Sequence, residues 1–98
     1  MSSQLGTAAA MDAESLENKL RDEGFSVVFR HRDRPNAYYP DHTHSGITAH
    51  IVIEGSITVT SGGKTSTFGP GDRFDVPAGA VHSASVGPEG CLYIIGEK

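Results

Sequence analysis

The chain has 98 residues and a mass of 10.3 kDa, a length that suits one domain and leaves no room for a second. Its formal net charge of −4 argues against a general nucleic-acid binder, which needs a basic face to neutralise phosphates, and no apolar run approaches the roughly 20 residues of a membrane span. One cysteine, Cys91, leaves no internal disulfide, and the first ten residues lack a basic and apolar leader, so the expected compartment is the cytoplasm.

Among the apolar and β-branched residues, Val, Ile and Thr number 7, 6 and 7 against 4 Leu, a mix that suits a pleated sheet better than helices. Residues 1–11 are small, polar and without pattern, and are expected to form a disordered tail ahead of a single domain over 12–98. A short helix is expected over 12–24: Asp12 to cap it, Glu14 in the first turn, Ala13, Leu16 and Leu20 on one face, and Gly24 to end it. From residue 25 onward the pattern is strand and turn. Strand-like segments cover 25–32, 47–54, 56–61, 64–68, 73–76, 81–86 and 91–95, and Gly62-Gly63 makes a two-residue hairpin turn. Turn residues recurring at short intervals predict an all-β antiparallel sandwich or barrel.

Five histidines is many for this length, and four lie between positions 42 and 82. On an extended chain His42 and His44 point to the same face with α-carbons roughly 6.6 Å apart. Two imidazoles so placed can converge on one ion at bonds of about 2 Å. Parity puts Thr48 and His50 on that side too, unless a bulge intervenes near Gly46. His82 follows the turn Pro77-Ala78-Gly79, which brings a later strand back across the sheet. His50, set among Ile51, Val52 and Ile53, is open to two readings: a core histidine bonded to a hydroxyl such as that of Thr48, or a further ligand. His31, in an arginine-rich run, is expected at the rim. Cys91 reads as a small core residue, and Asp72 as a turn-stabilising side chain.

The spacing His42-Thr43-His44, three residues, Thr48, six residues, Gly55 resembles the first motif of the cupin superfamily, G-x5-H-x-H-x3-4-E-x6-G. Gly71, Pro77, Gly79 and His82 match the second motif, G-x5-P-x-G-x2-H-x3-N, at four positions with its spacing. The motifs run from Asn36 to Val86, and the flanking strands extend the resemblance over most of Phe25 to Ile95. It implies a small single-domain cupin of the type-2 kind: one antiparallel jelly-roll β-barrel with a short N-terminal helix, often a homodimer. It also implies a divalent transition metal (Fe, Zn, Ni, Mn or Cu) held by His42, His44 and His82. Three departures stand out: Asn36 replaces the opening Gly, Thr48 the acidic ligand, and Val86 the closing Asn.

A three-histidine site without a carboxylate is similar to those of the thiol and diketone dioxygenase cupins. The expected function is therefore a mononuclear metal site acting on a small organic substrate, dioxygenase-like or isomerase-like. The alternative is a non-catalytic cupin that binds or senses a small ligand, and a weaker third is a metal that only staples the fold. Thr48, His50, Tyr38 and Phe74 are the candidate pocket residues, with Tyr39 beside Tyr38. Arg30, Arg32, Arg34 and Arg73 would bind a carboxylate substrate if any faced inward, and otherwise form a solvated face.

Overall fold

The computed structural model describes residues 12–98; the tail expected over residues 1–11 lies outside them. In chain order the elements are α1 (Ala13–Asp22), β1 (Val27–Asp33), β2 (Tyr38–His42), β3 (Thr48–Ser61), β4 (Lys64–Phe68), β5 (Arg73–Val76) and β6 (His82–Glu97). Helix α1 buries Ala13 and Leu20, with Leu16 partly covered, as the spacing predicts. Its ends divide the expectation. Gly24 terminates it in the left-handed region (φ 98°), whereas the Asp12 side chain makes no capping bond. No helix among the described residues is long and apolar enough to cross a membrane.

All strand pairs are antiparallel, and β3 and β6 organise the rest. They pair from Thr48–Glu97 at one end to Ser61–His82 at the other. Along half their length they are flanked by β1 and β5, along the other half by β2 and β4. The result is two four-stranded sheets sharing two long strands. Outer strands of one sheet do not pair with those of the other among the described residues, so the jelly roll is an open sandwich and the expected barrel does not close by hydrogen bonding.

Segments 47–54 and 56–61, read separately from sequence, join into the single bent strand β3. Segments 81–86 and 91–95 join likewise into β6. The bends are bulges: β6 carries the four residues 87–90 where β3 carries Ser56 alone. The excursion keeps its backbone partnered, with Asn36 N–H donating to Gly87 C=O and Val86 N–H to Ala37 C=O.

Strand alternation divides the apolar side chains into two cores. Ala49, Ile51, Ile53 and Ile94 face α1 with Leu20 and Phe25. Val52, Ile57, Val86, Cys91 and Tyr93 fill the space between the sheets. At the bend Gly55 has φ 79°, and a β-carbon there would sit 2.0 Å from the carbonyl oxygen of Gly90. Gly63 also has positive φ (78°), but it faces open space in the hairpin turn. Gly63→Ala therefore meets backbone strain alone, about 1–2 kcal/mol, and Gly55→Ala meets strain plus a backbone clash, about 3 kcal/mol or more. Urea unfolding of both variants checks this; equal losses would show that the β3–β6 contact at the bend is not tight.

Candidate metal centre

A bulge brings the first histidine into the interior. In the β2–β6 ladder Tyr39 opposes Ala84 and His42 opposes His82, so two residues of β2, Pro40 and Asp41, span one of β6. Pro40 has no N–H to give to a ladder, which suits it to that place. Without the extra residue, Tyr39 and His42 would point to opposite faces. With it both face inward. The loop before β6 is tied to the same region by Gly79 N–H donating to His44 C=O at 2.9 Å.

His42, His44 and His82 consequently meet. Each offers a ring nitrogen within 4.8 Å of the others, and ring centroids lie 4.2–5.1 Å apart. Nδ1 of His42 lies 2.7 Å from Pro40 C=O, and Nδ1 of His82 lies 3.0 Å from Ala80 C=O. A carbonyl only accepts, so both Nδ1 atoms donate, and in the neutral ring this leaves the lone pair on Nε2. Burial, with His42 and His82 alongside, holds His44 below the usual histidine range, against the opposing pull of Glu97. The donor chemistry fits a divalent transition-metal ion: three imidazoles brought together, two of them oriented by outer carbonyl partners.

A narrow cavity of about 70 Å³ adjoins the three rings. Tyr39, His50, Ile57, Val59, Phe74 and Ala84 form its walls. His50 stacks on Phe74 with centroids 4.3 Å apart and planes 5° from parallel, and Phe74 stacks in turn on Phe68. Neither reading of His50 is met as stated: it is not among the three clustered rings, and no bond to Thr48 is made, His50 Nδ1 and Thr48 Oγ1 both being buried without a partner. Thr48 instead borders a neighbouring cleft beside His44. Tyr38 lies on the outer face, 66% exposed, and the phenol at the cavity is that of Tyr39.

Tyr39 is held by a group the sequence did not mark. Asp33 is buried at the end of β1 and accepts hydrogen bonds from Tyr39 and Tyr93 (2.6 Å to the latter), with His31 Nε2 at 2.9 Å. Burial raises the Asp33 pKa, but these hydrogen bonds outweigh it and hold the carboxyl below its ordinary value. Its hydrogen bond in turn raises Tyr39 to about 12. Tyr39 is therefore a clamped wall and a poor acid. Cys91, pushed up to about 11 by burial and then by the Asp33 charge, is an inert core thiol. Arg30, Arg32 and Arg73 are engaged with Glu17, Glu54 and the Glu23–Asp75 pair, and neither they nor Arg34 borders the cavity. Asp72 closes its turn, accepting from Gly69 N–H.

Comparison with known proteins agrees with this geometry. The family profile described as Cupin domain matches residues 29–94. The chain belongs to the cupin family. A germin-like protein of Arabidopsis thaliana (subfamily T member 3) is 39% identical over 58% of this cupin, which spans only 28% of that relative. A Rhizobium leguminosarum protein of unknown function superposes with a TM-score of 0.67 at 27% identity, over 71% of this chain and 66% of that one. Oxalate decarboxylase of Bacillus subtilis, a protein with Mn(II) centres, gives 0.65 at 28% identity over 72% of this chain and 20% of its own.

Burial lowers the pKa of His50 from 6.5 to about 4. Below pH 6.5 the unfolded chain binds a proton that the folded ring refuses, so stability falls with pH until about pH 4, where the folded ring also protonates. In metal-free protein, His50→Phe removes this titration and retains an aromatic ring against Phe74. Its loss of stability between pH 7 and 4.5 is then smaller than that of the wild type by about 2 kcal/mol. Parallel pH profiles from urea unfolding would place His50 in contact with water.

Proposed function

We propose that this cupin holds one divalent transition-metal ion on His42, His44 and His82 and acts there on a small organic molecule, by oxygenation or isomerisation. The convergence of three ring nitrogens, two with tautomers fixed by Pro40 and Ala80, carries this reading. A bound ion would supply Lewis acidity and open coordination positions for substrate, water or O₂. Imidazole suits Fe, Zn, Ni, Mn and Cu alike, and the Mn(II) of the oxalate decarboxylase relative supports a divalent ion without choosing among them.

The chain's own groups limit the substrate. The cavity of about 70 Å³ beside the rings has room for a few heavy atoms of a ligand. Ile57, Val59, Phe74 and Ala84 keep water away from one side of it. His50 contributes a neutral ring whose unpartnered Nδ1 can give or take one hydrogen bond.

Binding without turnover, as in a sensor, is the second reading. It is favoured by the weakness of the wall groups as proton carriers: His50 is too weak a base near neutrality, and the Tyr39 hydroxyl is tied to Asp33. With either reading go a homodimer, supported by the exposed Val27 and Phe29 on β1, and the cytoplasm, supported by the buried unpaired Cys91.

Loading with Co²⁺ or Zn²⁺ followed by elemental analysis is expected to give one ion per chain, and His82→Ala to reduce occupancy at least tenfold. Because the ligands must be neutral, retention is expected to fall as pH drops below about 6. Equal occupancy in wild type and His82→Ala would overturn the reading.

A further inference from the structure

The cupin motif places a carboxylate where this chain has Thr48, and the strand beside it carries one at the matching place. In the β3–β6 ladder Thr48 pairs directly with Glu97, so the two side chains lie on the same face of the sheet with β-carbons about 5 Å apart, Thr48 buried and Glu97 exposed at the strand end. Lys98, the next residue, goes the other way: its Nζ donates to Glu23 C=O at 2.9 Å and sits over the Phe25 ring on the helix side. Glu97 and Thr48 both border a cleft of about 280 Å³, and His44 forms part of its wall.

The backbone under Glu97 is held on both sides. Ser26 N–H donates to Glu97 C=O at 3.1 Å, and Ile47 and Lys98 exchange N–H···O=C bonds of 2.9 and 3.0 Å. Gly46 permits this close approach, since a β-carbon there would lie 2.1 Å from the Lys98 carbonyl oxygen. His44 meanwhile lacks what its two companions have. Carbonyls of Pro40 and Ala80 orient His42 and His82, and no comparable partner holds the His44 ring among the described residues. The unpartnered Thr48 Oγ1 marks the same wall as short of polar contacts.

We propose that Glu97 supplies, from across the ladder, the carboxylate missing at position 48: a positioning residue that, in the metal-bound protein, accepts the outer N–H of His44 and holds that ring toward the other two. The inference rests on the three-histidine metal reading. It accounts for a site that retains three ligands after losing its acidic one. The negative charge is moved one strand over, and the smaller Thr48 leaves room for it.

The test uses the full chain and Co²⁺. Affinity is measured by chelator competition in wild type, Glu97→Gln and Glu89→Gln, the last removing the same charge from an exposed site on the β6 excursion. Glu97→Gln is expected to weaken Co²⁺ binding about tenfold or more, the usual effect of losing an outer partner of a ligating histidine, and Glu89→Gln to stay within about twofold. Metal-free unfolding temperatures of wild type and Glu97→Gln should coincide, and ring ¹⁵N shifts in the loaded protein should move for His44 while those of His42 and His82 stay. Co²⁺ binding by Glu97→Gln within twofold of wild type overturns this inference alone. Absence of Co²⁺ binding by the wild type overturns it together with the metal reading.

Discussion

The pairing of β3 with β6 fixes the position of nearly everything else. These strands belong to both sheets, so their register sets what lies opposite what in each half of the sandwich. At one end it puts His82 against Ser61, where β2 adds His42 on the other side of β6. At the other it puts Glu97 against Thr48, near His50 and bordering the cleft that His44 also lines. The bend at Gly55 and the excursion 87–90 fold the two ends toward each other. Groups from positions 42, 44, 50, 74 and 82 therefore surround one cavity although they come from four strands and a loop. A one-residue slip would turn every inner side chain outward, which is why the register matters more here than any single contact.

Buried polar groups are treated in two ways. At the end of β1, Asp33 is fully occupied, and its partners Tyr39 and Tyr93 are fixed in turn. This network stiffens the wall just before the β2 bulge and so supports the direction in which His42 leaves the strand. Near the three rings, by contrast, Thr48 Oγ1 and His50 Nδ1 are buried without partners. An unpaired buried polar atom costs on the order of 1–3 kcal/mol, a cost that a ligand or ordered water can relieve. Satisfied polarity builds the scaffold around Asp33, and the two unpartnered atoms lie on the walls of the cavity and of the cleft beside His44.

Much of this was legible in the sequence. The β-branched composition, the hairpin at Gly62-Gly63 and the Leu16–Leu20 face of the helix are local signals, and local signals survive folding. Strand parity put His42 and His44 on one face, and the resemblance to the two cupin motifs added His82 to them; the three rings do meet in the structure. What escaped is non-local. Pro40 in a short stretch disguised β2 as merely extended, and the parity change at the bulge cannot be read without its partner strand. Gly55 and Gly87–Gly90 looked like strand ends because glycine marks bends and breaks alike. Asp33 carried no pattern that set it apart from the charged residues around it. The relation of Glu97 to Thr48 exists only once β6 lies beside β3.

The central claim is that three imidazoles from two separate motifs hold a single ion. X-ray absorption at the zinc edge of protein loaded with one equivalent of Zn²⁺ reads the ligands directly. The account predicts three imidazole nitrogens at about 2.0–2.1 Å, with the remaining coordination filled by oxygen. A spectrum fitted by one imidazole or none would contradict it.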